Sequence, residues 1–178
     1  MPLALFEILG AGFYRLFPHP HNFTPIAAMA IVGGLYLGRR HALVIPLIAM
    51  LVSDILIGVL RGANPFHASM WAVYLGFAIY GWIGMRLRGR ASAPRLATGL
   101  LAGALAFFFL TNTAAWLAYY PHTLSGWSTA IGLGVPFFRN QILGDFCFTF
   151  AFVGLIEYSR KRAATSEIWA FLARPAAD

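Results

Sequence analysis

The sequence predicts an all-α integral membrane protein: a single domain, 1–178, folded as a helical bundle of about six transmembrane helices. Two observations predict it. Of its 178 residues 60% are hydrophobic and 11% charged, with a mean hydropathy of +0.71, more apolar surface than one soluble core can hide. The apolar residues also fall into runs suited to a hydrocarbon core of about 30 Å, which takes roughly 20 helical residues to cross. Runs such as 97–110 do not alternate apolar and polar residues, so transmembrane strands are excluded.

In order, the segments are 2–17, 23–38, 42–60, 68–85, 96–120 and 137–158. The first is short and carries Glu7 and Arg15, which leaves two readings: a span, or an amphipathic helix in the interface. It makes a poor signal peptide, because no basic residue precedes it and Glu7 interrupts it. In the second, Ala30, Gly34 and Gly38 recur every four residues, and Gly99 and Gly103 repeat that spacing in the fifth. Such ridges of small residues let helices approach closely, either within the chain or against a partner subunit. The third carries Asp54, His67 opens the fourth, and the sixth carries Arg139, Gln141 and Asp145. The stretch 121–136 is long enough for a short interfacial helix around 125–133. The tail 159–178 has room for another at 165–172.

The charges lie between the apolar runs. Nine basic residues (Arg39, Arg40, Arg86, Arg88, Arg90, Arg95, Arg160, Lys161 and Arg162) fall in loops on one side, and only Arg61 on the other. The positive-inside rule then places the first set and both termini in the cytoplasm, with 18–22, 61–67 and 121–136 outside. The net charge of +7 therefore belongs to membrane anchoring, and no face is formed that tracks phosphates; nucleic acid is excluded as a partner. The lipid bilayer takes that place. A single cysteine, Cys147, excludes an internal disulfide and reads as a small buried hydrophobe.

Ionisable groups inside apolar spans are costly unless they face the bundle interior, so each is a functional candidate. Asp54 lies roughly 9 Å from the outer end of its helix, and Asp145 about one and a half turns deeper than Arg139. Asn112 and Trp116 share a face of the fifth span, and Gln141 and Asp145 a face of the sixth. His21, Asn22, His67 and His122 lie in the outer loops with His19. This convergence on the outer half predicts an outward-open pocket for a small-molecule substrate, walled by aromatics that include Trp71, Tyr74 and Trp116. An interfacial aromatic belt accounts equally for any one of these aromatics. Asp54 and Arg139 also fit an ion pair between helices, His19 fits a solvated loop, and Glu157 pairs with Arg160 near the inner end. No phosphate-binding glycine loop, zinc-protease motif or nucleophile elbow is present.

The run Pro18-His19-Pro20-His21-Asn22-Phe23-Thr24-Pro25, the pair Ser53-Asp54 and the stretch from Pro136 to Asp145 resemble the bacterial transport-type proteins of the DUF6580 family, over roughly 17–158. The chain is also similar in shape to the substrate-binding S components of energy-coupling factor transporters, most of all the BtuM type. That resemblance implies a multi-pass protein of the bacterial inner membrane that takes up cobalamin or a related corrinoid, with no resident cofactor and with an energy-coupling ATPase module as partner. It implies pocket roles for Asp54 and Arg139. His67 falls near the position where BtuM-type proteins use a cysteine on cobalt; here imidazole would be the axial ligand to the corrinoid metal. The ridge of Ala30, Gly34 and Gly38 would then be the docking face. Two other classes stand beside this reading. One is a membrane-embedded metal-dependent enzyme built on Asp54, His67, His122 and Asp145. The other is a structural membrane subunit without a ligand.

Overall fold

The computed structural model describes residues 6, 9–11, 13–37, 39–62 and 64–172. Six helices are described and no strand occurs among these residues. They are α1, helical at 6, 9–11, 13 and 14; α2, Ile26–Tyr36; α3, Arg39–Arg61; α4, Met70–Leu87; α5, Ala93–Tyr119; and α6, Leu124–Leu172.

The architecture follows from where apolar residues run all round a helix and where they form one stripe. α2 is apolar on every side, and each residue from Ile26 to Leu35 is buried, so it can only be the central helix. It packs against α3, α4 and α6, while α5 closes the ring between α4 and α6. The small residues explain how close these contacts are. A methyl group added to Gly34 would strike the backbone of α4 at Gly81, Gly84 and Met85, and one added to Gly84 would lie 2.5 Å from the Ile31 carbonyl oxygen. Ala30 is 2% exposed in the same interface. Ala30 and Gly34 therefore join helices within the chain and are not open to a partner, contrary to the docking role expected of them; Gly38 lies outside the described residues. The carbonyls left unpaired where α2 stops are taken up by Arg88, whose Nε and Nη2 donate to the Gly34 oxygen at 3.1 and 2.7 Å and whose Nη2 also reaches the Leu37 oxygen.

The outer surface is apolar. Along α3 the residues Val44, Ile48, Val52 and Val59 are 49–75% exposed, and Trp71, Trp82, Leu117 and Leu133 are exposed on other helices. Among the described residues three helices are long and apolar enough to cross a membrane: Leu43–Arg61, Ala93–Tyr119 and Leu124–Thr165, with mean hydropathies of 2.6, 1.7 and 1.4. An apolar surface of this extent is compatible with a membrane helical bundle. Cys147 belongs to that surface: it is exposed, not buried as the sequence suggested.

Two further findings differ from the sequence reading. The interfacial helix expected at 125–133, the sixth span and the tail helix are one continuous helix, α6, of 49 residues with Pro136 inside it. Proline removes one amide donor and crowds one preceding carbonyl, which here falls in a glycine-containing turn, and the helix runs through. At 1.5 Å per residue α6 is roughly 70 Å long, more than twice a hydrocarbon core. At the other end of the chain, Leu9, Phe13 and Leu16 line an apolar groove with α3 residues between Ile45 and Leu56. α1 and the turn after it thus run beside α3 for about two turns.

The bundle has two distinct ends. The arginine end gathers the α2 terminus, Arg88, Glu157 and Arg160; Tyr36 donates from its hydroxyl to Glu157 Oε1 at 2.8 Å and Arg160 stacks over the Tyr36 ring. The histidine end gathers 15–25, the α3 terminus and the start of α4, and the cavity opens there.

Candidate functional site

Three elements build the site. The first is the turn between α1 and α2. Asn22 adopts a left-handed backbone (φ 61°), a conformation asparagine tolerates better than most residues, and the Phe23 amide N–H closes the turn by donating to the Pro20 oxygen at 3.0 Å. α6 holds this turn: Asn140 Nδ2 donates to the His21 oxygen at 3.1 Å, and Gly144 presents no side chain where the backbone of Phe23 and Thr24 lies against it. The two motifs of the sequence, 18–25 and 136–145, are thus two halves of one contact.

The second element is a buried polar cluster at the cavity floor. Tyr80 is fully buried on α4, and its hydroxyl donates to Asp145 Oδ2 on α6; Gln141 Nε2 donates to that hydroxyl at 3.2 Å. Asp145 is 3% exposed. Room for the Tyr80 ring comes from Gly103 on α5, where a methyl would sit 2.6 Å from the ring. Each partner thereby satisfies a group that would be expensive to bury alone.

The third element is an ion pair that ties α1 to α3. Arg15 Nη2 lies 2.6 Å from Asp54 Oδ1, Arg15 Nη1 donates to Ser53 Oγ at 2.5 Å and to the Met50 oxygen at 3.3 Å, and Tyr74 donates from α4 to Asp54 Oδ2 at 2.9 Å. The interhelical pair expected of Asp54 is real, but its cation is Arg15. Arg139 is exposed and pairs with no carboxylate among the described residues.

Between these elements lies a cavity of about 620 Å³. Its mouth is formed by Arg61, His19 and His21 with the Pro18–Asn22 turn, its walls by Ile57, Val73, Phe77 and Phe107, and its floor by Gln141 and Asp145. A smaller recess of about 280 Å³ shares Asn22, Thr111 and Gln141 with it and reaches Asn112. Asn112 lies against Gly134 and donates to the Phe108 oxygen at 2.8 Å. Tyr80 is ten residues along α4 from Met70, so the floor lies roughly 15 Å from that end of the helix.

Not every expected residue joins the cavity. Asp145, His21 and Asn22 line it, and Asp54 and Tyr74 stand behind its wall through Arg15. His67 is exposed in the loop before α4, its Nδ1 3.1 Å from Ser69 Oγ, and does not line it. Trp71 is 54% exposed and faces outward, as an interfacial anchor does. Trp116 and His122 pack on each other near the α5–α6 turn, with Trp116 Nε1 donating to the Pro121 oxygen at 2.8 Å and His122 Nε2 lying 3.0 Å from the Leu117 oxygen. Asp54, His67, His122 and Asp145 are therefore not assembled into one centre. Among the described residues no group of three or more His, Cys, Asp or Glu side chains is placed to hold a metal ion.

The sequence setting does not mark the cavity residues Arg15, Arg61 and Thr111 as site residues, nor Tyr80, which holds Asp145 from behind the floor. In the sequence Arg15 only interrupts a short apolar segment. An arginine there and an aspartate in the third span are, however, complementary charges that each need a partner.

The model of one protein family matches residues 1–168, nearly the whole chain, both halves of the contact between 18–25 and 136–145 included. The chain belongs to the DUF6580 family. That family is described as one of unknown function. No curated protein and no solved structure matches this DUF6580 chain.

Proposed function

We propose that this DUF6580 protein is a membrane-embedded binding protein for the uptake of a small molecule, working in the manner of an S component. The observation that carries the reading is the cavity itself: about 620 Å³, with an apolar wall of Ile57, Val73, Phe77 and Phe107 between a polar rim and a polar floor, within the size range of small-molecule sites. The distribution of arginines supports an orientation with the histidine end, and so the mouth, facing outward from a bacterial inner membrane and both termini facing the cytoplasm. Uptake then requires that the ligand bind the outward-open and inward-open forms unequally, because only a differential affinity shifts their balance. An energy-coupling ATPase module, which the S-component likeness implies, has to engage a surface other than Ala30 and Gly34, since α4 covers them.

Cobalamin is the substrate that the BtuM-type likeness implies. The cavity does not offer the axial ligand expected for it: His67 lies outside the lining. Thermal unfolding of the detergent-purified protein with a panel of vitamins and metabolites, corrinoids included, tests the reading. A cavity ligand at about 100 times its Kd adds about 2.7 kcal/mol to the folded state and raises Tm. Retained corrinoid absorbance after removal of free ligand would restore cobalamin as the substrate. A panel in which no compound of any class raises Tm would leave the subunit without a ligand, a purely structural component.

A further inference from the structure

The cavity is electrically asymmetric. At its floor Asp145 is the only carboxylate among the lining residues, it is 3% exposed, and no cation lies within ion-pairing distance of it among the described residues. Its bonds come from the neutral groups of Tyr80 and, through Tyr80, Gln141. A carboxylate held away from water without a positive partner is costly, and a bundle that spans a membrane keeps such a group only where something compensates it. Beside it the rings of Phe77 and Phe107 lie 4.8 Å apart between centroids, both in the cavity wall, and aromatic faces attract cations. At the mouth the sign reverses. Arg61 ends α3 and pairs with no carboxylate among the described residues, and His19 and His21 lie in the same rim.

We propose that the ligand is a zwitterion whose ammonium group binds Asp145 at the floor, whose apolar body lies between Ile57, Val73, Phe77 and Phe107, and whose anionic group meets Arg61 at the mouth. The inference rests on the binding reading above and specifies its substrate class. Floor and mouth are two to three helical turns apart, so the two charges are separated by several methylene groups or by one aromatic ring, and not by the single carbon of an α-amino acid. The ammonium supplies the missing charge at the buried carboxylate of Asp145, where screening by water is weaker than at the mouth. The anionic end gives orientation on entry, since Arg61 is met before Asp145.

The test measures binding to the full chain in detergent by thermal shift, using ω-amino acids from aminobutyrate to aminodecanoate and para-(aminomethyl)phenylacetate. Each is run beside its N-acetyl and methyl-ester forms. The expected result is that at least one zwitterion, with an optimum in length, binds at least about tenfold more tightly than both of its single-charge derivatives. In Asp145→Asn the preference over the N-acetyl form is lost, and in Arg61→Gln the preference over the methyl ester is lost. Should Asp145→Asn not fold, the comparison of derivatives on the wild-type protein decides alone. If no zwitterion raises Tm while a neutral or anionic metabolite does, the charge assignment is overturned and the binding reading survives. If folded Asp145→Asn keeps the full preference for the free amine, the floor assignment is overturned. If no compound of any charge class binds, the binding reading and this inference fall together.

Discussion

Gly34→Leu is expected to abolish recovery of folded protein. The α2 and α4 backbones meet at Gly34, Gly81 and Gly84, and even a methyl group at Gly34 would strike main-chain atoms of α4 that belong to a helix and cannot swing aside. A leucine forces the two helices apart over the whole contact, which places the variant among the rare substitutions that cost more than about 4 kcal/mol. Size-exclusion profiles and membrane yields of Gly34→Leu against Leu133→Ala, a change on the exposed surface, measure this directly. Folded Gly34→Leu with intact ligand binding and lost uptake would instead mean that the ridge docks a partner.

Arg15→Met is expected to be the most damaging substitution of any arginine at the histidine end. It leaves Asp54, 16% exposed, with only the Tyr74 hydroxyl in place of a cation, and it releases the α1 terminus from Met50 and Ser53. Losing one member of a buried pair costs about 3–5 kcal/mol, and the partial exposure here brings the expected loss to about 2–3 kcal/mol. Arg15→Met with Asp54→Leu is expected to recover most of that loss, because no unpaired carboxylate remains. Arg139→Met, which removes no ion pair, is expected to leave Tm within a degree or so of wild type. Thermal unfolding of these three variants and of Asp54→Leu alone checks the cycle; equal losses at Arg15 and Arg139 would contradict the assignment of the Asp54 partner.

The sequence made the helices legible because the membrane-like composition makes their ends sharp. The apolar run 68–85 is the helix Met70–Leu87, and 96–120 is Ala93–Tyr119, each shifted by no more than three residues by capping turns. Pro136 and the glycines at 132 and 134 predict a break in the last helix, because such residues ordinarily punctuate a chain. Nothing local shows that the helix continues through them. Depth was legible in part: His21, Asn22 and Asp145 line the cavity that opens at the histidine end, and His67 lies in the loop before α4. Partnership was not. Whether Asp54 meets Arg15 or Arg139 depends on which helices are neighbours, and whether Trp71 faces the cavity or the surround depends on helix rotation, neither of which a single sequence fixes. Tyr80 was hidden for a similar reason. Its value comes from Gly103 on the next helix and Asp145 on another, residues 23 and 65 positions away.

The claim that this cavity holds a small molecule is tested most directly by native mass spectrometry of the protein extracted from its own membrane in mild detergent. Thr111→Trp is the companion variant: it places an indole in the space shared by the main cavity and its recess while leaving the Tyr80–Asp145 floor in place. The expected result is a discrete small-molecule adduct on the wild-type protein that Thr111→Trp loses while its unfolding temperature stays near wild type. The same adduct on both proteins would put the ligand elsewhere, and no adduct on either, even after incubation with the metabolite panel, would contradict the assignment of this cavity as a binding site.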